Sequence, residues 1–411
     1  MSDMGQMKKN LEENREHTGS RRKVYVEEPL SMESIFVAFV FFVVLSQFLL
    51  TGRSELLTQP LRPLIVIILT VQVVRRGRLK LPVCSVALVM SIYQFILWFF
   101  LYPDGGPLKG YLVLIFYFMM LFSVAGFPWN GRELRLILFA SFLATFVCAA
   151  AFFLSNNMLD FSTHEYRFMG EVVNRNKHAY AFAFGIVLGR SYLSFGRGRN
   201  RLVILLMMLL EGYCLMYSEC RGAFLGLFIS LSIIAFNRAV KMWKNGNPYL
   251  VFFIFLYTVF LIAVYVMIKN SVVSRLVDGE NLSGRDTGIE HAIMLFRQAS
   301  IPGKIFGNGM LYEGLHTEGI GVHFVYLTYL LEAGIIGAVL IALIFVSAMR
   351  NIRGEIQWSI FMIALSRTFF EGMDYYIFIP LILSICISNY ELLYRRSCRE
   401  LFWRKRYLLS G

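Results

Sequence analysis

A chain of 411 residues, 57% of them hydrophobic and only 16% charged, is not an ordinary soluble domain, in which about a quarter of residues carry charge. Its formal charge of +13 would suit nucleic acid in a soluble protein. In a chain this apolar it fits the cytoplasmic excess of Lys and Arg in multispanning proteins, so no nucleic-acid partner is expected.

The apolar runs are continuous and about 20 residues long, not alternating, which predicts an all-α polytopic membrane protein and not a β-barrel. Residues 1–30 are polar, carry Lys8, Lys9, Arg21, Arg22 and Lys23, and are expected to form a cytoplasmic tail with no cleavable signal. Nine spans are expected within 31–269, at 32–50, 62–75, 81–102, 109–128, 133–155, 177–195, 201–217, 222–238 and 249–269. A large external loop over 270–322 follows, then spans at 323–349, 356–373 and 376–394 within 323–394, and a basic cytoplasmic tail over 395–411. The total is about 12 transmembrane helices.

Charge gives the expected orientation. If the N-terminus is cytoplasmic, every second connection must be too, and these are RRGRLK (75–80), WNGRELR (129–135), GRGRNR (196–201), NRAVKMWKNGN (237–247) and RNIRGE (350–355). All are short and basic, as the positive-inside rule requires. Both termini are therefore expected inside a plasma membrane. The external segments are 155–176, the turn YSECRGA around Arg221, and the long loop. Within that loop Ile289, Ile293 and Phe296 recur at i, i+4 and i+7, the pattern of a short amphipathic helix on the membrane surface.

The six cysteines are scattered without metal-type spacing and read as small buried hydrophobes. Arg190, Glu211, Glu332, Arg367, Glu371 and Asp374 fall inside apolar runs. Such charges usually pair or line a cavity; pairing is the reading for all six, Glu332 with a buried cation and Arg367 with Glu371 at i, i+4.

Arg221 is the sharpest candidate for chemistry. It stands where one apolar run hands over to the next, with Gly222 and Ala223 beside it. It is either an arginine snorkelling at a span end or an outward anion clamp, since guanidinium matches phosphate oxygens in a bidentate way. Arg285, in NLSGRDTG, is either a solvated loop residue or an anion ligand near a helix N-terminus. Arg167 and Asn176 stand on a polar approach to a span, and with Arg275 of the long loop they are further candidate contacts to an anion or glycan. His323, at the mouth of a span, is either an interfacial residue making one hydrogen bond or a proton acceptor working near neutrality. No HExxH, carboxylate cluster or Gly-rich phosphate loop is present, so no cofactor or metal is expected.

Four blocks in order resemble the O-antigen ligase/polymerase family of bacterial envelope enzymes. They are Arg167-x-x-Gly170 followed by Asn176; Ser218-x-x-Arg221-Gly222-Ala223; Gly284-Arg285 followed by Phe306-Gly307-Asn308-Gly309; and His323-x-x-Tyr326-Leu327-x-x-Leu330-x-Glu332-x-Gly334-x-x-Gly337. Phe324 stands where that family commonly has Asn. The resemblance covers roughly 165–340 and implies a metal-independent glycosyltransferase with a GT-C-like fold. Its donor would be an oligosaccharide on undecaprenyl pyrophosphate, used at the external or periplasmic face of the inner membrane. The acceptor would be a lipid-linked repeat (polymerase) or a lipid A core sugar (ligase), with a flippase and a chain-length regulator as possible partners. Arg221 and Arg285 would hold the leaving pyrophosphate, and His323 would either take the acceptor proton or bind phosphate as imidazolium. A flippase of lipid-linked oligosaccharide and a non-enzymatic assembly protein are the competing classes.

Overall fold

The computed structural model describes residues 30–46, 67–68, 70–71, 82–104, 106–155, 167–168, 171–172, 175–195, 200–218, 220–252, 254–255, 257–258, 262, 285–310, 325–370 and 377–390. The chain divides at Leu30 into Met1–Leu30 and Ser31–Gly411, and every described helix and strand belongs to the second unit.

The helices, in order, are α1 (Met32–Leu45), α2 (Pro82–Leu101), α3 (Leu108–Gly126), α4 (Gly131–Ser155), α5 (Arg175–Phe195), α6 (Arg201–Ser218), α7 (Arg221–Lys244), α8 (Arg285–Gln298), α9 (Ile301–Phe306), α10 (Val325–Glu332), α11 (Gly334–Asn351), α12 (Glu355–Phe370) and α13 (Ile377–Tyr390). Between α4 and α5 a two-residue ladder pairs β1 (Arg167–Phe168) with β2 (Glu171–Val172). Among the described residues, α2, α4, α6, α11 and α7 from Gly222 onward are long and apolar enough to cross a membrane. Their outer faces are the apolar ones. On α6, Leu202, Leu205, Leu206 and Leu209 are all exposed, whereas Glu211 and Ser218 are buried. That inverted pattern suits a lipid surround. The chain is an α-helical polytopic membrane protein.

Two expectations are corrected. The run 323–349 is not one span, because α10 ends at Glu332 and α11 begins at Gly334. The basic stretch NRAVKMWK, expected in a connection, instead continues α7 to Lys244; it is built of good helix formers and has no Gly or Pro to stop the helix. The expected spans 62–75 and 249–269 are described only in part, and the residues described within them are mostly helical.

Small residues set the packing. Gly185 and Gly189, one turn apart on α5, leave room for Glu211 and Met208 of α6 and for Thr145 and Phe142 of α4. This is the close approach that small-xxx-small spacing permits. The α7–α12 pair is antiparallel: Gly226 lies against Ser366, Ser230 and Ser359 donate to each other's carbonyls at 2.7 and 2.9 Å, and Lys241 meets Glu355 at 3.3 Å.

These pairings sort the helix termini into two ends. At one end lie the starts of α1, α4, α6 and α12 and the ends of α3, α5, α7 and α11, with Arg132, Arg135, Arg201, Lys241, Lys244 and Arg350 among them. This basic end is tightly capped. Asn130 Oδ1 accepts the N–H groups of Arg132 (3.0 Å) and Glu133 (2.8 Å), and Glu133 accepts the N–H of Asn130 (2.9 Å) and of Ser31 (3.2 Å). A reciprocal capping box thus also ties α1 to α4. α13 runs parallel to α3, with Phe378 stacked on Tyr117 and Asn389 Nδ2 donating to Ala125 O at 2.9 Å. It therefore finishes at the same basic end.

Candidate functional site

The opposite end gathers the starts of α5 and α7, where Asn176 and Arg221 stand, and the start of α10. Phe152, near the end of α4, stacks on His178 in the second turn of α5 at 5.7 Å and meets Tyr217, near the end of α6, at 6.4 Å. Ser218 Oγ, donating to Leu215 O at 2.6 Å, closes α6 just before Cys220, which caps α7. Near the end of α12, Arg367 is 1% exposed and lies 4.8 Å over the Tyr180 ring of α5. One residue on, Thr368 Oγ1 donates to the Tyr326 hydroxyl at 3.3 Å, and Phe369 packs on the Tyr326 ring at 5.7 Å. The ends of α4, α6 and α12 therefore meet the starts of α5, α7 and α10.

Asn176 lies in the first turn of α5, Arg221 is the first residue of α7, and His323 stands two residues before α10. Arg167 lies on β1, and Arg285 is the first residue of α8, which packs on α10 through Ala292, Leu295, Leu327 and Leu331. The structure describes the backbone at Asn176, Arg221, Arg167 and Arg285 but not their side chains, while His323 and Arg275 lie outside the described residues. The short helix expected in the long loop is present as α8. Ile289 and Ile293 are exposed, the outward side expected to meet the membrane surface, whereas Ala292 and Leu295 are buried against α10.

A second assembly lies in the long loop. After α9 the chain runs as an extended strap, Gly307–Met310, across the break between α10 and α11. Asn308 N–H donates to Leu331 O and Gly309 N–H to Glu332 O, both at 3.0 Å, and Asn308 Nδ2 reaches Leu331 O at 3.2 Å. These bonds satisfy carbonyls that a helix end otherwise leaves open. Gly307 (φ 94°) and Gly334 (φ 66°) face each other across the contact. A Cβ on Gly307 would collide with Glu332 O, and one on Gly334 with Ile305 O. Tyr93 of α2 pins both sides, its hydroxyl 2.9 Å from Phe306 O and 2.7 Å from Ala333 O. Since a phenol has one proton, it donates to one carbonyl at a time. The Phe306–Gly309 block and the Glu332-x-Gly334 block, though far apart in sequence, are thus one structural unit.

Beside the strap, Tyr111 Oη accepts the Met310 N–H at 3.3 Å, and the Tyr102 ring lies 5.9 Å from that of Tyr111. Glu332 is half-buried. Among the described residues it meets no cation, and the side chains of Arg221 and Arg285 are not among those described. For Arg367, the expected partner Glu371 lies outside the described residues. Glu211 is buried against Gly185 and Thr145, with no cation paired to it among the described residues.

Sequence reasoning missed Tyr93 and Tyr180, and read His178 only as one of several external or interfacial histidines. Tyr93 carries no signal beyond one polar atom in an apolar run, and the role of its hydroxyl depends on segments more than 200 residues away. The apolar outer faces and the helix pairings define the class: an α-helical membrane protein. No family model matches the chain, and no curated protein matches it in sequence.

Proposed function

We propose that this protein is a metal-independent glycosyltransferase of the O-antigen polymerase type, with about twelve spans in a GT-C-like arrangement, in the inner membrane of a bacterium. It would move an oligosaccharide from undecaprenyl pyrophosphate to a sugar hydroxyl of a second lipid-linked repeat. The observation that carries this reading is the meeting of the starts of α5, α7 and α10 with the end of α12. Asn176 and Arg221 lie in first helical turns there, and His323 lies just ahead of a third. Helix starts present free N–H groups and partial positive charge, and guanidinium groups add charge-assisted bonds to phosphate.

In this reaction the acceptor oxygen attacks the anomeric carbon as its proton passes to His323. The bond from that carbon to the pyrophosphate oxygen breaks, and the electron pair leaves on the lipid pyrophosphate, held by Arg221 and Arg285. Arg167, Asn176 and Arg275 would contact the pyrophosphate or glycan. Such clamps count most where charge develops in the transition state. The basic end supports a cytoplasmic position for both termini and an external site.

The test is complementation in a strain lacking the gene, with surface glycan resolved on gels. Arg221→Ala, Arg285→Ala and His323→Ala should each abolish long chains and leave single repeats on lipid. Full-length glycan from all three variants, at wild-type protein levels, would show the reading to be wrong.

A further inference from the structure

Two helices measure the depth of the break between α10 and α11. α11 finishes at the basic end, where Arg350 is exposed. Its 18 residues rise about 27 Å, less than the roughly 30 Å of a hydrocarbon core. α2 runs the other way beside it. Tyr93, whose hydroxyl meets Phe306 O and Ala333 O, stands two turns before Leu101, the last residue of α2, and so about 12 Å below the point where the chain leaves the apolar run. From Phe306 the strap climbs to Tyr111, in the first turn of α3, which accepts the Met310 N–H. Four steps of extended chain reach about 13 Å, which matches that climb.

The bonding at the break agrees with this depth. In hydrocarbon no water answers a freed carbonyl, so protein must. Leu331 O and Glu332 O accept N–H groups of the strap, and Ala333 O accepts the Gly337 N–H and lies 2.7 Å from the Tyr93 hydroxyl.

α9 shares the level of the break. It packs on α11, and a Cβ on Gly334 would collide with Ile305 O. Yet Ile301, Ile305 and Phe306 are exposed, Ile301 at 74%. Around the same level the spanning helices expose apolar residues as well: Ile335 and Val339 of α11, and Ile92, Phe95 and Ile96 of α2. The one charge on α9, Lys304, has a stem long enough to bring its ammonium to the headgroups.

We propose that α9 is a re-entrant wedge: it enters the leaflet opposite the basic end and presents Ile301, Ile305 and Phe306 to phospholipid acyl chains. The partner is lipid because these residues continue the lipid-facing surface of two spans at a depth where the bilayer surrounds them.

The test uses the full chain in nanodiscs of phosphatidylethanolamine and phosphatidylglycerol. Ile305 and Phe306 are replaced singly by the photo-reactive residue p-benzoylphenylalanine, and mass spectrometry identifies what each captures. Phe95, exposed on α2, and Asp104, exposed beyond its end, are the references. Phospholipid adducts at Ile305 and Phe306 should match the yield at Phe95, with attachment on the acyl chains, and Asp104 should give almost none. Yields as low as at Asp104, or capture of protein in place of lipid, overturn the wedge. A smaller change gives a second reading. Ile305→Cys should resist a membrane-impermeant maleimide that labels Asp104→Cys, and equal labelling of the two also overturns it. Neither measurement uses turnover, so the wedge and the transferase reading fail separately.

Discussion

The two ends of the bundle are held differently. At the basic end Asn130 and Glu133 cap each other, Glu133 also holds Ser31, and Lys241 meets Glu355 in the open, while the buried Gln357 amide lacks a partner among the described residues. At the other end Arg367 is buried under a ring, Tyr93 serves two carbonyls with one proton, Gly307 and Gly334 hold left-handed backbone, and the Tyr329 hydroxyl lacks a partner among the described residues. Reciprocal caps and an exposed ion pair hold the basic end; a strap pinned from distant segments holds the other.

Substitutions on each side sharpen that contrast. The largest effect is expected at Arg221→Ala, which should lower glycan transfer about 100-fold or more with the thermal unfolding midpoint in detergent unchanged. A lowered midpoint instead would make Arg221 a structural residue. Gly334→Ala should come next, costing about 3 kcal/mol because a left-handed backbone and a collision with Ile305 O coincide; size-exclusion of a tagged protein after graded heating reads the loss. Tyr93→Phe removes only the hydroxyl and should cost about 1–2 kcal/mol, while making the Gly307–Met310 strap easier to cleave by added protease. Unchanged cleavage would show that Tyr93 does not pin the strap.

At the basic end the effects should be smaller and silent in activity. Glu133→Ala should lower stability by about 1 kcal/mol through loss of the cap, with glycan chain length as in the wild type. Lys241→Ala should be nearly neutral, within about 0.5 kcal/mol, because an exposed ion pair contributes little. A drop in transfer from either variant, at preserved stability, would erase the distinction between the ends.

Much of the scaffold is legible in the sequence. The expected spans 81–102, 109–128, 133–155, 177–195 and 201–217 agree with α2 to α6 within a few residues, because a continuous apolar run in a membrane has few alternatives to helix. The Gly185–Gly189 spacing carries a packing signal as well, which the expectation of a plain span leaves unused. The break at Glu332–Gly334 is harder to see: apolar residues continue through it, and the interruption is stabilised by a strap that arrives from another part of the chain. On α8 the Ile289–Ile293 stripe is legible and stays outward, whereas Ala292 and Leu295 are buried only because α10 packs there.

What the sequence by itself determined is membrane character, the helical runs and the bias of charge in the connections, since these follow from composition and local order under a uniform solvent. What tertiary structure alone decided is which helix ends face one another. It set Tyr93 between Phe306 and Ala333 and Arg367 over Tyr180. Contacts across so many residues depend on packing angles and on backbone carbonyls, and neither is encoded in the pattern of any one segment.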